Sequence, residues 1–159
     1  GIAASMLLPA LASAKSKANA VKSQNNLRQL YFGLSGVAAN NDGQLPTADK
    51  WCDVLLPEIG APIVFVSPLD SFTLDLINKG EKASSYAMNA AVAGKSLDEL
   101  NPKTILLFEA DLGWNGTGGL KEAEENIPFY VTPSMPVVFA DGSSAHVPVG
   151  DLRLMRWTP

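Results

Sequence analysis

The chain is short of the residues that usually carry covalent chemistry. Its 159 residues include one cysteine, Cys52, and one histidine, His146. A single cysteine excludes an intrachain disulfide, and Cys52 is most simply a small packed side chain. A catalytic triad would have to use His146, and no GxSxG nucleophile elbow is present. We therefore expect no catalytic residues, no cofactor and no enzymatic activity.

Charge is also scarce, and it is unevenly distributed. Charged residues make up 18% of the chain, whereas an average soluble domain has about 25%. Residues 1–41 carry a net charge of +4 with no acidic residue, and residues 42–159 carry −8. Four basic residues along about ten helical turns are too sparse for nucleic-acid binding. The division indicates two parts that meet different surroundings.

Proline is absent between residues 10 and 40, and glycine is absent there before Gly33. The apolar residues of this segment recur at spacings of three and four, which predicts one long helix. Asn41-Asp42-Gly43 and Pro46 mark its end. After Val21 the apolar residues lie on one side, so this part should pack on a globular body. The residues expected at that contact are Leu27, Leu30, Tyr31, Leu34 and Val37.

The first 14 residues contain no charge, and only their two serines are polar. They are too few to span a bilayer, which takes about 20 residues, but a dozen further apolar residues upstream would complete a span. A buried N-terminal helix is the alternative. Pro9 should kink or locally melt the helix. We expect lipid or neighbouring helices to cover the apolar residues of this segment, which are Ile2, Met6, Leu7, Leu8, Pro9 and Leu11.

Four extended runs after residue 42 predict strands. They lie at residues 84–89, 103–109, 136–140 and 143–149. Asp141 and Gly142 separate the last two runs, and this pair is typical of a β-hairpin turn. We therefore predict an α+β fold in which a long helix (residues 1–41) packs on a small antiparallel sheet head (residues 42–159).

Shorter features of the head are less regular. Residues 51–59 predict a helix that Pro57 would interrupt or end. Residues 62–67 predict an extended run between prolines. The pattern of residues 71–77 is ambiguous, and a helical turn is one interpretation. A turn at residues 96–100 should be capped by Ser96. The glycine-rich segment 113–119 predicts a loop.

Several motifs resemble the prepilin-like proteins, which are the type IV pilins and the pseudopilins of type II secretion. GIAASMLLPALASAKSKA is similar to the second half of the pilin N-terminal segment, with Gly1 at its internal glycine and Pro9 at its helix-breaking proline. The body motifs resemble a pilin-like group abundant in planctomycete and verrucomicrobial genomes. These are NNLRQL (25–30), NNDGQLP (40–46), SYAMN (85–89), TILLFEAD (104–111), VVFADGSSAHV (137–147) and LRLMRWTP (152–159).

The resemblance implies a pilin-like fold and a structural role. The chain would polymerise through its apolar helix into an extracellular type IV pilus-like filament, with inner-membrane anchoring before assembly and the assembly machinery as a partner. It also implies about a dozen preceding residues, with a glutamate, and a cleaved leader. Two alternatives stay open: a pseudopilin of a type II secretion system, and a membrane-anchored surface module that binds a ligand at the Trp114 loop.

Three positions depart from the pattern of these relatives. The relatives often have cysteine where this chain has Ser23 and Ser67, and histidine where it has Val131. A disulfide or a histidine-dependent site of the relatives is therefore not expected here.

Two aspartates are the candidates for a metal site. Asp111 and Asp141 each follow a strand, and calcium prefers clustered oxygen ligands. The sequence lacks a dense Asp/Asn ligand series, and Asp141-Gly142 is explained by turn chemistry alone. The prediction is therefore no bound metal. Asn115-Gly116-Thr117 matches the N-glycosylation pattern in what reads as a surface loop.

Overall fold

The computed structural model describes residues 2–159, with side chains from Ser5 onward. The predictions for Gly1 and for the side chain of Ile2 lie outside the described residues. Helix α1 spans Ile2–Ala39 and stays helical through Pro9, so the chain does not melt there. It ends where the backbone N–H of Gly43 donates to the carbonyl of Ala38. The glycine- and proline-poor composition explains this length, because alanine, leucine, lysine and glutamine favour the helix.

A five-stranded sheet forms the centre of the head. Its strands are β1 (Tyr86–Asn89), β2 (Ile105–Glu109), β3 (Thr117–Gly118), β4 (Ser134–Phe139) and β5 (Ser144–Pro148). Their order across the sheet is β3-β1-β2-β4-β5. The pairs β1–β2, β2–β4 and β4–β5 are antiparallel.

The expectation of a purely antiparallel sheet is wrong, because β3 pairs with β1 in parallel. After β2 the chain reverses direction in the glycine-rich loop and crosses to the far side of β1. A strand that reverses relative to β2 then runs in the same direction as β1. Only two residues pair there, at Met88↔Thr117 and Asn89↔Gly118, so the strand left no alternating pattern in the sequence.

Three further helices surround the sheet: α2 (Trp51–Ile59), α3 (Ser71–Asn78) and α4 (Leu120–Glu125). Pro57 does not end α2, because one missing backbone donor is tolerated and the helix stops only at Gly60, which has φ 71°. Residues 71–77, left open by the sequence, form α3. Helix α4 was not predicted.

Four short 3₁₀ turns complete the head, at Pro62–Phe65, Leu97–Glu99, Phe129–Val131 and Val149–Leu154. The extended run expected at residues 62–67 is therefore wrong for its first part. Ser96 does not cap the next turn with its side chain. The N–H of Leu97 donates instead to the carbonyl of Gly43, at 2.9 Å, so the start of this turn is satisfied by the backbone after α1.

The core lies on both faces of the sheet. Alternate residues of β1 and β2 point to opposite sides, as Tyr86 and Ala87 do. One face, with Tyr86 and Leu107, packs against α1 and α2. The other, with Phe108, is covered by α4 and the C-terminal segment, where the ring of Trp157 lies 5.3 Å from that of Phe108.

Candidate functional site

The first part of α1 extends beyond the head as an apolar arm, defined here as residues 5–18. Every side chain of the arm is exposed. The exposed fractions are 71% for Met6, 60% for Leu7, 69% for Leu8 and 64% for Leu11, and Pro9 is exposed as well. None of the residues that the structure describes covers these side chains. In the part of the chain that the structure describes, no helix combines the length and hydropathy needed to cross a bilayer.

Ser23 is the first buried residue of α1 among those whose side chains are described. Leu27, Leu30 and Leu34 are fully buried against the sheet and α2, while Tyr31 and Val37 are half-buried. The buried positions follow the three- and four-residue spacing of one helix face.

Gly33 allows α2 to approach α1 closely. A Cβ atom at this position would lie 2.7 Å from Cδ1 of Leu55 and 2.9 Å from Cδ1 of Ile59. Gly36, three residues later on the same helix, has open space around its Cα. The isolated glycine in a helical pattern was the sequence signal for this approach.

The hairpin turn contacts α1 through Tyr31. Gly142 has φ 83°, and a Cβ atom there would lie 2.5 Å from Cε1 of Tyr31. Asp141 lies beside it, where its carboxylate accepts hydrogen bonds from Ser143 and pairs with Lys103 Nζ at 3.1 Å. These bonds hold the pKa of Asp141 below its usual value. Gly142 is therefore needed for both its backbone conformation and its lack of a side chain.

The structure does not bring the two calcium candidates into a ligand cluster. Asp111 is exposed, and its backbone N–H donates to the carbonyl of Asn126. Asp141 already has the Lys103 ammonium at its carboxylate. Across the described residues, no group of three or more histidine, cysteine, aspartate or glutamate side chains is arranged to hold a metal ion.

The Trp114 loop is fastened to the start of α2. Asn115 Oδ1 accepts the backbone N–H groups of Cys52, at 2.7 Å, and Asp53, at 3.2 Å. It thereby caps a helix whose own N-cap residue makes no side-chain bond. Burial raises the pKa of the Cys52 thiol to about 12, so this cysteine is an unreactive packed group.

Asp53 completes this attachment. Its carboxylate accepts hydrogen bonds from Trp114 Nε1 at 2.9 Å, Asn115 Nδ2 at 2.7 Å and Lys82 Nζ at 3.2 Å. These bonds lower the pKa of Asp53 to about 2. The Trp114 ring packs 5.1 Å from that of Phe65. The polar edge of Trp114 and the amide of Asn115 are thus engaged within the head.

A cavity of about 140 Å³ with a mixed polar and apolar lining lies between α1 and the sheet. It is lined by all three residues that depart from the expected family pattern, namely Ser23, Ser67 and Val131, and also by His146. These residues are far apart in the sequence. The fold brings them together because α1 packs on β4, which lies between β2 and β5.

Glu109 forms the buried floor of this cavity. Its residue is 2% exposed, and burial raises the pKa of its carboxyl group to about 7, although hydrogen bonds from Ser67 and Ser23 oppose the rise. Ser23 Oγ donates to Glu109 Oε1 at 3.1 Å and lies 2.9 Å from the Tyr86 hydroxyl. With that proton used, Tyr86 must donate to Ser23, and Asn26 Nδ2 in turn donates to Tyr86 at 3.4 Å. The chain of donors therefore ends on the carboxylate.

Two further groups complete the polar lining. Tyr130 lies at the wall, and its hydroxyl is hydrogen-bonded to Asp70. His146 Nε2 is buried and has no hydrogen-bond partner. Sequence reasoning missed Glu109, and the only available signal was a carboxylate at the end of an otherwise apolar strand. It considered His146 only as the histidine of a catalytic triad, whereas the structure places it at this cavity with Nε2 unsatisfied.

No protein-family profile, curated protein or solved structure matches the chain. The fold described above is therefore the basis for any functional conclusion.

Proposed function

We propose that the chain is a structural subunit of an extracellular, type IV pilus-like helical filament, and that it has a pilin-like fold. The subunit would polymerise through its apolar arm. Before assembly, the arm together with residues preceding it would anchor the subunit in the inner membrane. The partners are then further copies of the same chain and the assembly machinery.

The exposure of the arm is the observation that carries this proposal. Met6, Leu7, Leu8 and Leu11 expose most of their surfaces, although residues 27–38 of α1 and the head already form a closed core. A contiguous exposed apolar surface is typical of an interaction site. The arm, residues 5–18, would extend for roughly 21 Å at about 1.5 Å per residue, which is long enough to contact several neighbours. A contact between two different surfaces, repeated along an open screw axis, produces a fibre.

Charge also favours packing between copies. Residues 1–41 carry a net charge of +4, with Lys15 and Lys17 in the arm and no acidic residue, whereas residues 42–159 carry −8. Attraction between the helix of one copy and the head of another would promote association, and salt would weaken it.

A pseudopilin of a type II secretion system would use the same arm, and fibre length and copy number distinguish it from a pilin. The described contacts do not favour a surface binding module. The Trp114 loop, its best candidate surface, is packed on Phe65 and bonded to Asp53.

The test is assembly after detergent removal, followed by negative-stain microscopy and sedimentation. We expect the complete mature chain to form fibres of uniform width. Leu8→Asp should prevent this, because a carboxylate cannot be buried among packed helices without a partner. Leu154→Asp is the matched control, since Leu154 is a similarly exposed leucine (77%, against 69% for Leu8) on the head.

Two results would contradict the proposal. One is a wild-type chain that remains monodisperse without detergent while cells lacking it keep all their surface filaments. The other is an equal loss of assembly in the two aspartate variants, which would indicate that the arm has no special role.

A further inference from the structure

The cavity floored by Glu109 has the size and chemistry of a ligand site. Its volume of about 140 Å³ is similar to that of engineered cavities of roughly 150 Å³ that bind benzene. Ser16, Thr132 and Pro133 line it and are exposed, so they form the mouth, whereas Glu109 and Ser67 are buried. A small group can therefore enter from solvent and reach the carboxylate.

The unmet hydrogen-bonding capacity of the cavity selects the ligand. Glu109 accepts hydrogen bonds from two hydroxyl groups, and no lysine or arginine is among the described residues that line the cavity. His146 Nε2 has no partner, and it is an acceptor when the proton is on Nδ1. A buried carboxylate is stabilised by a partner of opposite charge that also donates hydrogen bonds.

We propose that this cavity binds a primary alkylammonium group, with the ammonium at the Glu109 carboxylate and at His146 Nε2. Three N–H donors on one small cation match the acceptors that face the cavity. The short alkyl chain would lie toward Val131 and Pro133, which also line it. This site does not depend on filament formation.

Five titratable groups line the cavity or lie beside it. These are Glu109 on β2, Asp70 at the start of α3, Tyr86 on β1, Tyr130 in its 3₁₀ turn and His146 on β5. Helix α1 contributes only uncharged lining residues, such as Ser16, Asn19 and Ser23. The negative charges of Asp70 and Glu109 both favour a cation.

The experiment follows the side-chain carboxyl carbon of Glu109 by NMR as pH rises from 4 to 9. The full chain is titrated in butylammonium chloride and, at equal concentration, in tetramethylammonium chloride, which has the same charge but no N–H donor. We expect the titration midpoint to fall by about one pH unit or more only in butylammonium, because the ligand favours the ionised carboxylate. At pH values below the Glu109 midpoint of the ligand-free chain, the affinity for butylammonium should weaken about tenfold per pH unit.

Two variants sharpen the result. Glu109→Gln should abolish butylammonium binding measured by calorimetry, and Glu81→Gln, which alters an exposed carboxylate elsewhere, should preserve it. Equal midpoints in the two salts would overturn the proposal and indicate a cavity filled only by water. Equal binding to the wild-type chain and to Glu109→Gln would overturn it as well.

The alkylammonium could be a free amine or the lysine side chain of a second copy, and protein concentration distinguishes these sources. If a lysine of the arm binds, the Glu109 midpoint in amine-free buffer falls as protein concentration rises, and replacing Lys15 and Lys17 with glutamine removes that dependence. A midpoint independent of concentration, together with butylammonium binding, identifies a free amine.

Discussion

Glu109→Gln should change how the stability of the chain depends on pH. Burial raises the pKa of Glu109 from 4.5 to about 7, so the folded chain holds this proton more tightly than the unfolded chain does. The resulting contribution to stability is fully present below pH 4.5 and is lost as pH rises through 7. Glutamine cannot titrate, so the variant should lack this decline.

The pKa change determines the expected size of the effect. At about 1.4 kcal/mol per pH unit, it corresponds to about 3 kcal/mol of stability lost between pH 4.5 and 8. Glutamine forms weaker hydrogen bonds with Ser23 and Ser67 than a carboxylate does, so the net gain at pH 8 should be about 1–3 kcal/mol. For a chain of this length, this is on the order of 5 °C in Tm. Near pH 4 the two chains should have similar stability.

The assay is urea unfolding at several pH values, followed by tryptophan fluorescence. Trp51 is fully buried in the α1-facing core and should report loss of the head. The difference between variant and wild type isolates Glu109, because both chains share all other titrations, and Glu81→Gln controls for the loss of a carboxylate. Parallel profiles between pH 4.5 and 7, or a variant less stable than wild type at pH 8, would refute the reasoning.

Three further predictions concern packing and capping, and all use the same unfolding assay. Gly36→Ala should stabilise the chain by about 0.5–1 kcal/mol through helix propensity. Gly33→Ala should leave the chain about 1–3 kcal/mol less stable than Gly36→Ala does, because the added methyl group overlaps α2. If the two substitutions changed stability equally, α2 would lie farther from Gly33. Gly142→Ala should cost about 2 kcal/mol or more from its positive φ and the nearby tyrosine ring, whereas Gly150→Ala, with open space around it, should cost under about 1 kcal/mol. Asn115→Ala should lower the free energy of unfolding by about 1 kcal/mol through loss of the α2 cap. An unchanged urea midpoint would show that water replaces the hydrogen bonds of Asn115.

Local signals predicted the long helix and most strands. The helix predicted for residues 10–40 occupies Ile2–Ala39, and the DG turn lies between β4 and β5. The sequence failed where pairing is short or non-local. Thr117–Gly118 is a strand only because β1 runs beside it, and Pro57 is tolerated inside α2 although its local preference opposes a helix.

The candidate site was harder to predict than the fold. The sequence marked Ser23, Ser67 and Val131 only as departures from a family pattern, and no periodicity connected them. It gave no reason to select Glu109, because a single carboxylate in a strand does not indicate its own burial. Their convergence follows from the crossing of α1 over the sheet, which is a tertiary contact between segments up to 120 residues apart along the chain.

The sequence by itself determined a basic, apolar-ended helix, an acidic α+β head and the hairpin, because helix and turn preferences act between residues a few positions apart. Only the tertiary structure decided that no described residue covers the arm, that the Trp114 loop is fastened to α2, and that a buried carboxylate faces a cavity whose described lining has no lysine or arginine. Burial and electrostatic environment depend on which surfaces meet in the fold, and residues distant in sequence supply those surfaces.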